Sequence, residues 1–189
     1  MKYYTGIGSR KTPPEILKIM HTLAWHLADK GWTLRSGGAG GADNAFENGV
    51  IQYCEDSDRY PTARDANIYL PWASFKDVNQ DYKDIYIYSN KIDRGVLAKA
   101  EQIASEIHPN WRACSRGAKG LHTRNIFQVV GHQRVEIPSR FLVCWAPISN
   151  NSISGGTRSA FELAKSKGVD VFNLILQEDF ERISKFCLE

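Results

Sequence analysis

A glycine-rich turn, Ser36 to Asp43, is the part of the sequence best suited to bind an anion. It follows an apolar run, Trp32 to Leu34, and precedes apolar residues at helical spacing. Glycine lets the backbone approach a phosphate closely, and the first free N–H groups of a helix point at such a ligand. The pattern predicts a phosphate-binding turn or, alternatively, a tight strand-to-helix turn with no ligand.

Two other turns share this design. The turn from Gly6 to Arg10 follows a predicted strand, and the turn from Ser154 to Thr157 comes after the apolar segment from Arg140 to Trp145. Each turn is predicted to follow a strand and open a helix. Because ligands bind at the carboxyl edge of a doubly wound sheet, three such turns favour a phosphate-bearing ligand there. The candidate ligand-binding residues are Gly8, Ser9, Arg10, Ser36, Gly37, Gly38, Ala39, Gly40, Asp43, Arg124, Asn125, Gly155, Gly156 and Thr157.

Four of these side chains have alternative roles. Arg10 and Arg124 are predicted to hold a phosphate, which a guanidinium suits better than an ammonium. Arg10 could instead pair with Glu15, and Arg124 could belong to a solvated basic surface. Asn125 could bind the ligand or bridge loops. Asp43 could cap its helix or accept a hydrogen bond from a ribose hydroxyl.

Aromatic residues, histidines and cysteines give weaker indications of function. Trp72 and Trp145 follow predicted strand ends and could stack on a base, although core packing is favoured for Trp145. The five histidines show no ligand spacing, and the four cysteines are widely spaced with no Cys-x-x-Cys motif. We therefore expect reduced thiols, a cytoplasmic protein, and no metal or other cofactor.

The composition predicts one domain over residues 1–189. The chain is 42% hydrophobic, enough for a substantial core, and its net charge of +3 is too small to indicate nucleic acid by itself. The longest apolar run is far shorter than the ~20 residues of a membrane span. The first residues lack the apolar region of a signal peptide. We expect no membrane partner.

Predicted helices and strands alternate along the chain. This order predicts an α/β class fold, with a Rossmann-like, doubly wound, mostly parallel sheet and helices on both faces. Thr12 is predicted to cap the first helix in a capping box with Glu15. Predicted strands cover residues 3–7, 32–35, 67–71, 140–145 and, as the last central strand, 169–176, with a possible short strand at 85–88. Further predicted helices cover residues 94–107, 121–130, 161–168 and 178–188, and residues 73–84 are predicted to form a long loop or lid.

The motifs resemble those of the DNA-processing protein A family (DprA, or Smf). That family belongs to the SLOG superfamily, which it shares with the LOG nucleotide phosphoribohydrolases. The resemblance lies in Gly8 to Pro13, Ser36 to Gly49, Leu121 to Asn125, and Gly155 to Phe172, in the family's order. It implies an open parallel sheet whose glycine edge binds a nucleotide or single-stranded DNA. The chain resembles the small, stand-alone members found in phage and bacterial genomes.

The resemblance also allows a choice between binding and hydrolysis. LOG enzymes carry a glutamate after their last glycine turn, and the position three residues after Thr157 is here Ala160, with Glu162 on a different helical face. Because glycosidic cleavage needs a carboxylate, binding without chemistry is favoured. Asp43 or Glu47 could still supply one, so a LOG-like nucleoside 5′-monophosphate phosphoribohydrolase stays an alternative. A small nucleotide-derived signal as the ligand and a homo-oligomer also stay open.

Overall fold

Strands and helices alternate along the chain in a computed structural model, which describes residues 1–149, 152–153 and 155–188. The strands of this part are β1 (Lys2–Gly8), β2 (Trp32–Ser36), β3 (Ala66–Leu70), β4 (Tyr86–Tyr88), β5 (Phe141–Trp145), β6 (Ile148–Ser149), β7 (Ser152–Ile153) and β8 (Asp170–Asn173). The α-helices are α1 (Pro14–Asp29), α2 (Ala42–Asp56), α3 (Arg94–Ile107), α4 (Arg116–Val130), α5 (Arg158–Ser166) and α6 (Gln177–Leu188).

Six strands form one sheet in the order β4-β3-β2-β1-β5-β8, and every neighbouring pair is parallel. The chain begins at the centre, proceeds to β4, and then returns to place β5 on the other side of β1. The order of the strands therefore reverses between β1 and β5, which is the switch point where such sheets bind ligands. The predicted α/β, Rossmann-like, doubly wound fold is confirmed.

Helices cover both faces of the sheet. Along β3, Ile68 and Leu70 point into a core with α1, α2 and α6, whereas Tyr69 points into a second core with α3, α4 and α5. The same alternation places Val143 of β5 in the first core and Leu142 in the second. Both sides of the strands are buried, as expected for a parallel sheet.

The starts of two helices differ from their predicted positions. The N-cap position of α1 is occupied by Pro13, and no side chain makes a capping hydrogen bond there. The prediction that Thr12 caps this helix is therefore wrong. The Thr12 hydroxyl instead donates to the Ser9 carbonyl at 2.8 Å. Helix α4 begins at Arg116, five residues earlier than predicted. Ser115 caps it by accepting from the Ala118 N–H, and glycines in its first turns had hidden the apolar period.

Two predictions about the later strands are also corrected. Strand β8 lies at the edge of the sheet rather than in its centre, and it ends at Asn173 because the chain turns there into α6. The third turn does not follow β5 directly, since the antiparallel hairpin of β6 and β7 lies between them. Ser154, predicted to belong to this turn, lies outside the described residues.

The predicted loop at residues 73–84 is largely ordered. It contains short 3-10 helices, Ala73–Phe75 and Gln80–Ile85, and a third one, Ser89–Lys91, follows it. The possible strand at 85–88 is present as β4, which pairs with β3. Across the described ranges, the helices lack the combination of length and apolar character that crossing a bilayer requires.

Candidate functional site

A pocket of about 400 Å³ lies beside the carboxyl end of β1, at the switch point of the sheet. It is lined by Ile7, Gly8, Ser9, Arg10, Lys11, Ala39, Asp43, Leu121, Arg124, Asn125, Gln128, Gly155, Gly156 and Thr157. The structure thus brings together residues of all three predicted turns with Arg124 and Asn125 of α4. Ile7, Lys11, Leu121 and Gln128 were not among the predicted site residues.

A buried ion pair forms part of the pocket wall. Nη1 of Arg124 lies 3.6 Å from Oδ2 of Asp43, and both side chains are about 5% exposed. Asp43 also accepts hydrogen bonds from the N–H groups of Gly8, at 3.2 Å, and Ala39, at 3.4 Å. Its carboxylate therefore joins the first turn, the glycine-rich turn and α4. The predicted helix cap is wrong, because Gly41 precedes α2 and no side chain caps it.

Burial shifts the pKa values of both members of this pair. It raises the pKa of the Asp43 carboxyl above its ordinary value, and Arg124 and the two backbone N–H groups oppose that shift. It lowers the pKa of Arg124, and Asp43 opposes this change. A guanidinium keeps its proton in proteins, so Arg124 stays charged and needs its polar contacts with Asp43 in this buried place.

Gly37 provides the space that Arg124 occupies. A Cβ at Gly37 would lie 1.4 Å from Nη1 of Arg124 and 2.4 Å from Nε2 of Gln128. When the Gln128 amide is oriented so that both its ends are paired, its oxygen accepts from Arg124, at 2.6 Å, and from the Gly37 N–H, at 3.0 Å. Its nitrogen then donates to Oδ1 of Asn125 at 3.1 Å. Gln128 is therefore a positioning residue for both predicted side chains of α4.

The glycine-rich turn packs against the first turn instead of opening toward a ligand. Gly41 has φ +79°, and a Cβ there would lie 2.6 Å from the Ser9 carbonyl oxygen. The N–H of Ala42 donates to the same oxygen at 3.3 Å. The first N–H of α2 and the Ala39 N–H thus already have partners within the protein.

Four of the predicted ligand-binding residues do not line the pocket. Ser36 is buried and donates its hydroxyl hydrogen to the Gly6 carbonyl at 2.6 Å. Gly37 lies under Arg124, and a Cβ at Gly38 would meet Leu70 at 2.8 Å. Gly40 has no neighbouring atom within 4 Å of a Cβ position. Ser36 and Gly37 therefore act on the site from outside the pocket, whereas Gly38 packs against β3 and Gly40 has no such contact.

The third turn presents backbone and open space to the pocket. Gly155 and Gly156 are exposed, with nothing within 4 Å of either Cβ position, and Thr157 leads into α5. Asn125 donates its amide hydrogen to the Gly156 carbonyl at 2.6 Å. Asn125 therefore does bridge a loop, as one alternative predicted, while it also lines the pocket.

Two exposed cations line the pocket, and an exposed aromatic side chain lies beside α4, the helix that supplies part of its wall. Arg10 and Lys11 are exposed and line the pocket. Trp72 is 39% exposed and lies beside the first turns of α4, since a Cβ at Gly120 would be 3.7 Å from its indole ring. Trp145, in contrast, is half-buried and packs against the core, as favoured from the sequence.

A second buried carboxylate lies near the pocket but does not line it. Oε1 of Glu47 accepts hydrogen bonds from Lys76, at 2.5 Å, and from the hydroxyl of Tyr86, at 2.6 Å. Burial, followed by Glu47, raises the pKa of Tyr86, which keeps the hydroxyl proton available for this bond. The contacts of Glu47 therefore anchor the 73–93 segment to α2.

A wider groove of about 590 Å³ lies beside β8, a strand at one side of the sheet. Ile148, Ile153, Phe161 and Val171 contribute to its mostly apolar lining. It contains neither Arg124 nor residues of the first two turns. The pocket at the switch point is therefore the better site for an anion.

Fold and site together define an α/β protein with a pocket lined by cationic side chains and glycine turns at the switch point. No known family model matches the chain, and no curated protein matches its sequence. Among solved structures, it is similar to DNA processing protein A from Helicobacter pylori, whose structure is described with a single-stranded DNA binding mode. The two share 18% identity with a TM-score of 0.40, over 99% of this chain and 79% of that one. So distant a likeness says nothing about what this chain binds.

Proposed function

We propose that the switch-point pocket binds the phosphate of a nucleotide, either free or as part of single-stranded DNA, without catalysing a reaction. The observation that supports this proposal is the convergence of Arg124, exposed Arg10 and Lys11, and the turn that opens α5 around one pocket. The pocket volume, about 400 Å³, falls in the usual range for small-molecule sites.

The charge of the pocket suits a phosphate group. Three cations, Arg10, Lys11 and Arg124, line it together with one carboxylate, Asp43, which leaves an excess of two positive charges. A phosphate monoester carries about −1.5 to −2 charges at neutral pH. The start of α5 adds the positive end of a helix dipole, and the exposed glycines before it let a ligand approach the backbone.

The position of Trp72 supports a nucleotide rather than a bare anion. Its exposed indole lies beside α4, the helix that carries Arg124 toward the pocket. A base stacked on such a ring gains roughly 1–3 kcal/mol in single-strand binders. Phosphate contacts in the pocket and stacking on Trp72 would together recognise one nucleotide or consecutive units of a strand.

The contacts of the carboxylates favour binding over hydrolysis. Asp43 is the one carboxylate among the described residues that line the pocket, and it is bonded to two backbone N–H groups and Arg124. Glycosidic cleavage normally uses two carboxylates, one of them free to protonate the leaving group or attack. Incubation of concentrated protein with nucleoside 5′-monophosphates, followed by chromatography, should therefore show no release of free base.

Binding is tested with a matched pair of arginine variants. Arg10→Ala removes an exposed cation at the pocket, and Arg140→Ala removes an exposed cation just before β5, at the opposite edge of the sheet. A charge-assisted hydrogen bond is worth about 1.5–3 kcal/mol, so Arg10→Ala should weaken binding about 10- to 100-fold. Arg140→Ala should leave it within about twofold.

Two probes distinguish the forms of the ligand. A fluorescent oligodeoxythymidine and a nucleoside 5′-monophosphate are each titrated at several salt concentrations. Affinity for a strand that contacts Z phosphates falls with a log–log slope of about −0.7Z, so three contacts give a slope of about −2. A steep slope without competition by the mononucleotide identifies single-stranded DNA. If neither probe binds, or if both arginine variants behave alike, the proposal is wrong.

A further inference from the structure

A cluster of three metal-ligating side chains lies between α3 and α4, outside the pocket. His108 follows α3, Cys114 lies just before α4, and His122 belongs to α4. One potential ligand atom of each lies within 4.8 Å of those of the other two. We propose that these side chains form a Zn²⁺ site with one open coordination position, independent of whether the pocket binds a phosphate.

The separation of the Cys114 sulfur from His108 is that of two ligands of one tetrahedral ion. Sγ of Cys114 lies 3.7 Å from Nδ1 and 3.8 Å from Nε2 of His108, and the rings of His108 and His122 are 4.4 Å apart at their centroids. Zinc bonds of about 2.3 Å to sulfur and about 2.0–2.1 Å to nitrogen place these two ligand atoms about 3.6 Å apart. The thiol and Nδ1 of His108 are thus separated as two ligands of one ion would be. Because Sγ lies almost equally far from both ring nitrogens, the His108 ring must rotate to direct the lone pair of Nδ1 at the ion.

A hydrogen bond orients the third ligand. Nδ1 of His122 lies 2.8 Å from the hydroxyl oxygen of Ser159, a buried residue in the first turn of α5. With the proton on Nδ1, this bond leaves the lone pair of Nε2 for a metal, and ligating histidines are commonly held in this way by a second hydrogen-bonding group. The Asn110 N–H, 3.2 Å from Nδ1 of His108, is the contact that an ion on that nitrogen would replace.

The ligand set selects the class of metal. One thiolate and two imidazoles suit Zn²⁺ and related borderline ions, whereas Mg²⁺ and Ca²⁺ prefer oxygen ligands. Three protein ligands with a fourth position left to water are typical of exchangeable or catalytic zinc rather than closed structural sites. The intervals of five and seven residues between the ligands match no common zinc motif, so only the fold brings them together.

The test uses the metal-free full chain and adds Co²⁺ and then Zn²⁺. We expect one equivalent of Co²⁺ to give a thiolate-to-metal charge-transfer band in the parent chain, which Zn²⁺ then displaces. Cys114→Ser should abolish the band, and His122→Gln should weaken Zn²⁺ binding at least about 100-fold, since even outer-shell changes cost about 10- to 100-fold. The matched controls, Cys187→Ser and His26→Gln, alter residues outside the cluster and should bind like the parent.

A second measurement needs no variant. In the parent chain, Zn²⁺ should slow alkylation of Cys114 by iodoacetamide while that of Cys187 is unchanged, with the modified peptides identified by mass spectrometry. Circular dichroism of the metal-free variants shows whether each one folds. The proposal is overturned if Co²⁺ gives no thiolate band, if folded Cys114→Ser binds Zn²⁺ as tightly as the parent, or if Zn²⁺ does not protect Cys114.

Discussion

Replacement of Gly37 by alanine should damage the protein through Arg124. A Cβ at this position would lie 1.4 Å from Nη1 of Arg124, so the guanidinium must leave its place and the buried ion pair with Asp43 must break. Breaking such a pair costs about 3–5 kcal/mol. Alanine also stabilises the fold by about 0.4–1 kcal/mol, because it lowers the conformational entropy of the unfolded chain relative to glycine. The net loss of folding free energy should therefore be about 2–4 kcal/mol.

The same turn supplies a matched control. Neither Gly37 nor Gly40 has a positive φ, so alanine is compatible with the backbone at both positions. At Gly40 a Cβ meets no atom within 4 Å, and Gly40→Ala should be neutral or stabilise by up to about 1 kcal/mol. Urea unfolding of both variants measures the difference, provided that their m-values agree. For a chain of this size the expected loss in Gly37→Ala corresponds to about 4–16 °C in Tm.

A double-mutant cycle shows whether the damage acts through Arg124. In an Arg124→Ala background the guanidinium atoms that collide with a Cβ at Gly37 are absent. The end of the flexible Gln128 side chain, at 2.4 Å, is the contact that remains and can rotate away, so Gly37→Ala should cost much less there. The coupling energy should be about 2–3 kcal/mol, at the upper end of values for residues in contact. Equal stability of Gly37→Ala and Gly40→Ala, or simple additivity in the cycle, would refute the conclusion that Gly37 provides the space for the Arg124 guanidinium.

Two further predictions concern buried groups away from the pocket lining. Lys76→Ala should destabilise the fold by about 3–5 kcal/mol, because it removes the cation that pairs with buried Glu47, and Glu47→Gln in the same background should recover most of that loss in urea unfolding. Burial, and to a smaller extent the charge of Arg35, lower the pKa of His132. The unfolded chain therefore binds a proton at His132 more readily than the folded chain, and the free energy of unfolding falls as the pH drops below about 6.5. His132→Gln should therefore lose less stability than the parent between about pH 8 and pH 5; an identical pH profile would contradict this.

Local signals were sufficient for the class of fold and for much of the pocket. Helix α3 has the predicted bounds, Arg94–Ile107, because its apolar period is regular along the whole helix. The first turn reaches the pocket because it follows a parallel strand at the carboxyl edge of the sheet, and the third turn reaches it after the hairpin of β6 and β7. The order of strands left no such signal. The segment predicted as a central strand, 169–176, is rich in apolar residues, yet the strand within it, β8, covers only Asp170–Asn173 and lies at the edge, because position in the sheet depends on the route of the chain.

Long-range contacts determine what the sequence pattern could not predict. Asp43 reads as a helix cap from its neighbours, yet its carboxylate joins Gly8, Ala39 and Arg124, which lie in three separate elements. His108 and Cys114 are likewise brought together only by the fold, since their spacing in the chain matches no metal motif. A side chain that can form several hydrogen bonds finds its partners either nearby in the sequence or in distant elements. Only the packing of the fold determines which partners it meets.

The contacts of α4 explain the placement of the glycine-rich turn. Arg35, at the end of β2, is fully buried and donates to the Val129 carbonyl, at 3.2 Å, in the last turn of this helix, where a cation is favourable. Two residues later, Gly37 leaves the space into which Arg124 of the same helix fits. The end of β2 therefore fixes α4 at two points and directs its polar side chains toward the pocket. Within the turn that suggests a phosphate cradle, Gly37 positions an arginine and Gly41 allows close packing against the first turn, whereas the exposed turn before α5 is the one open to solvent.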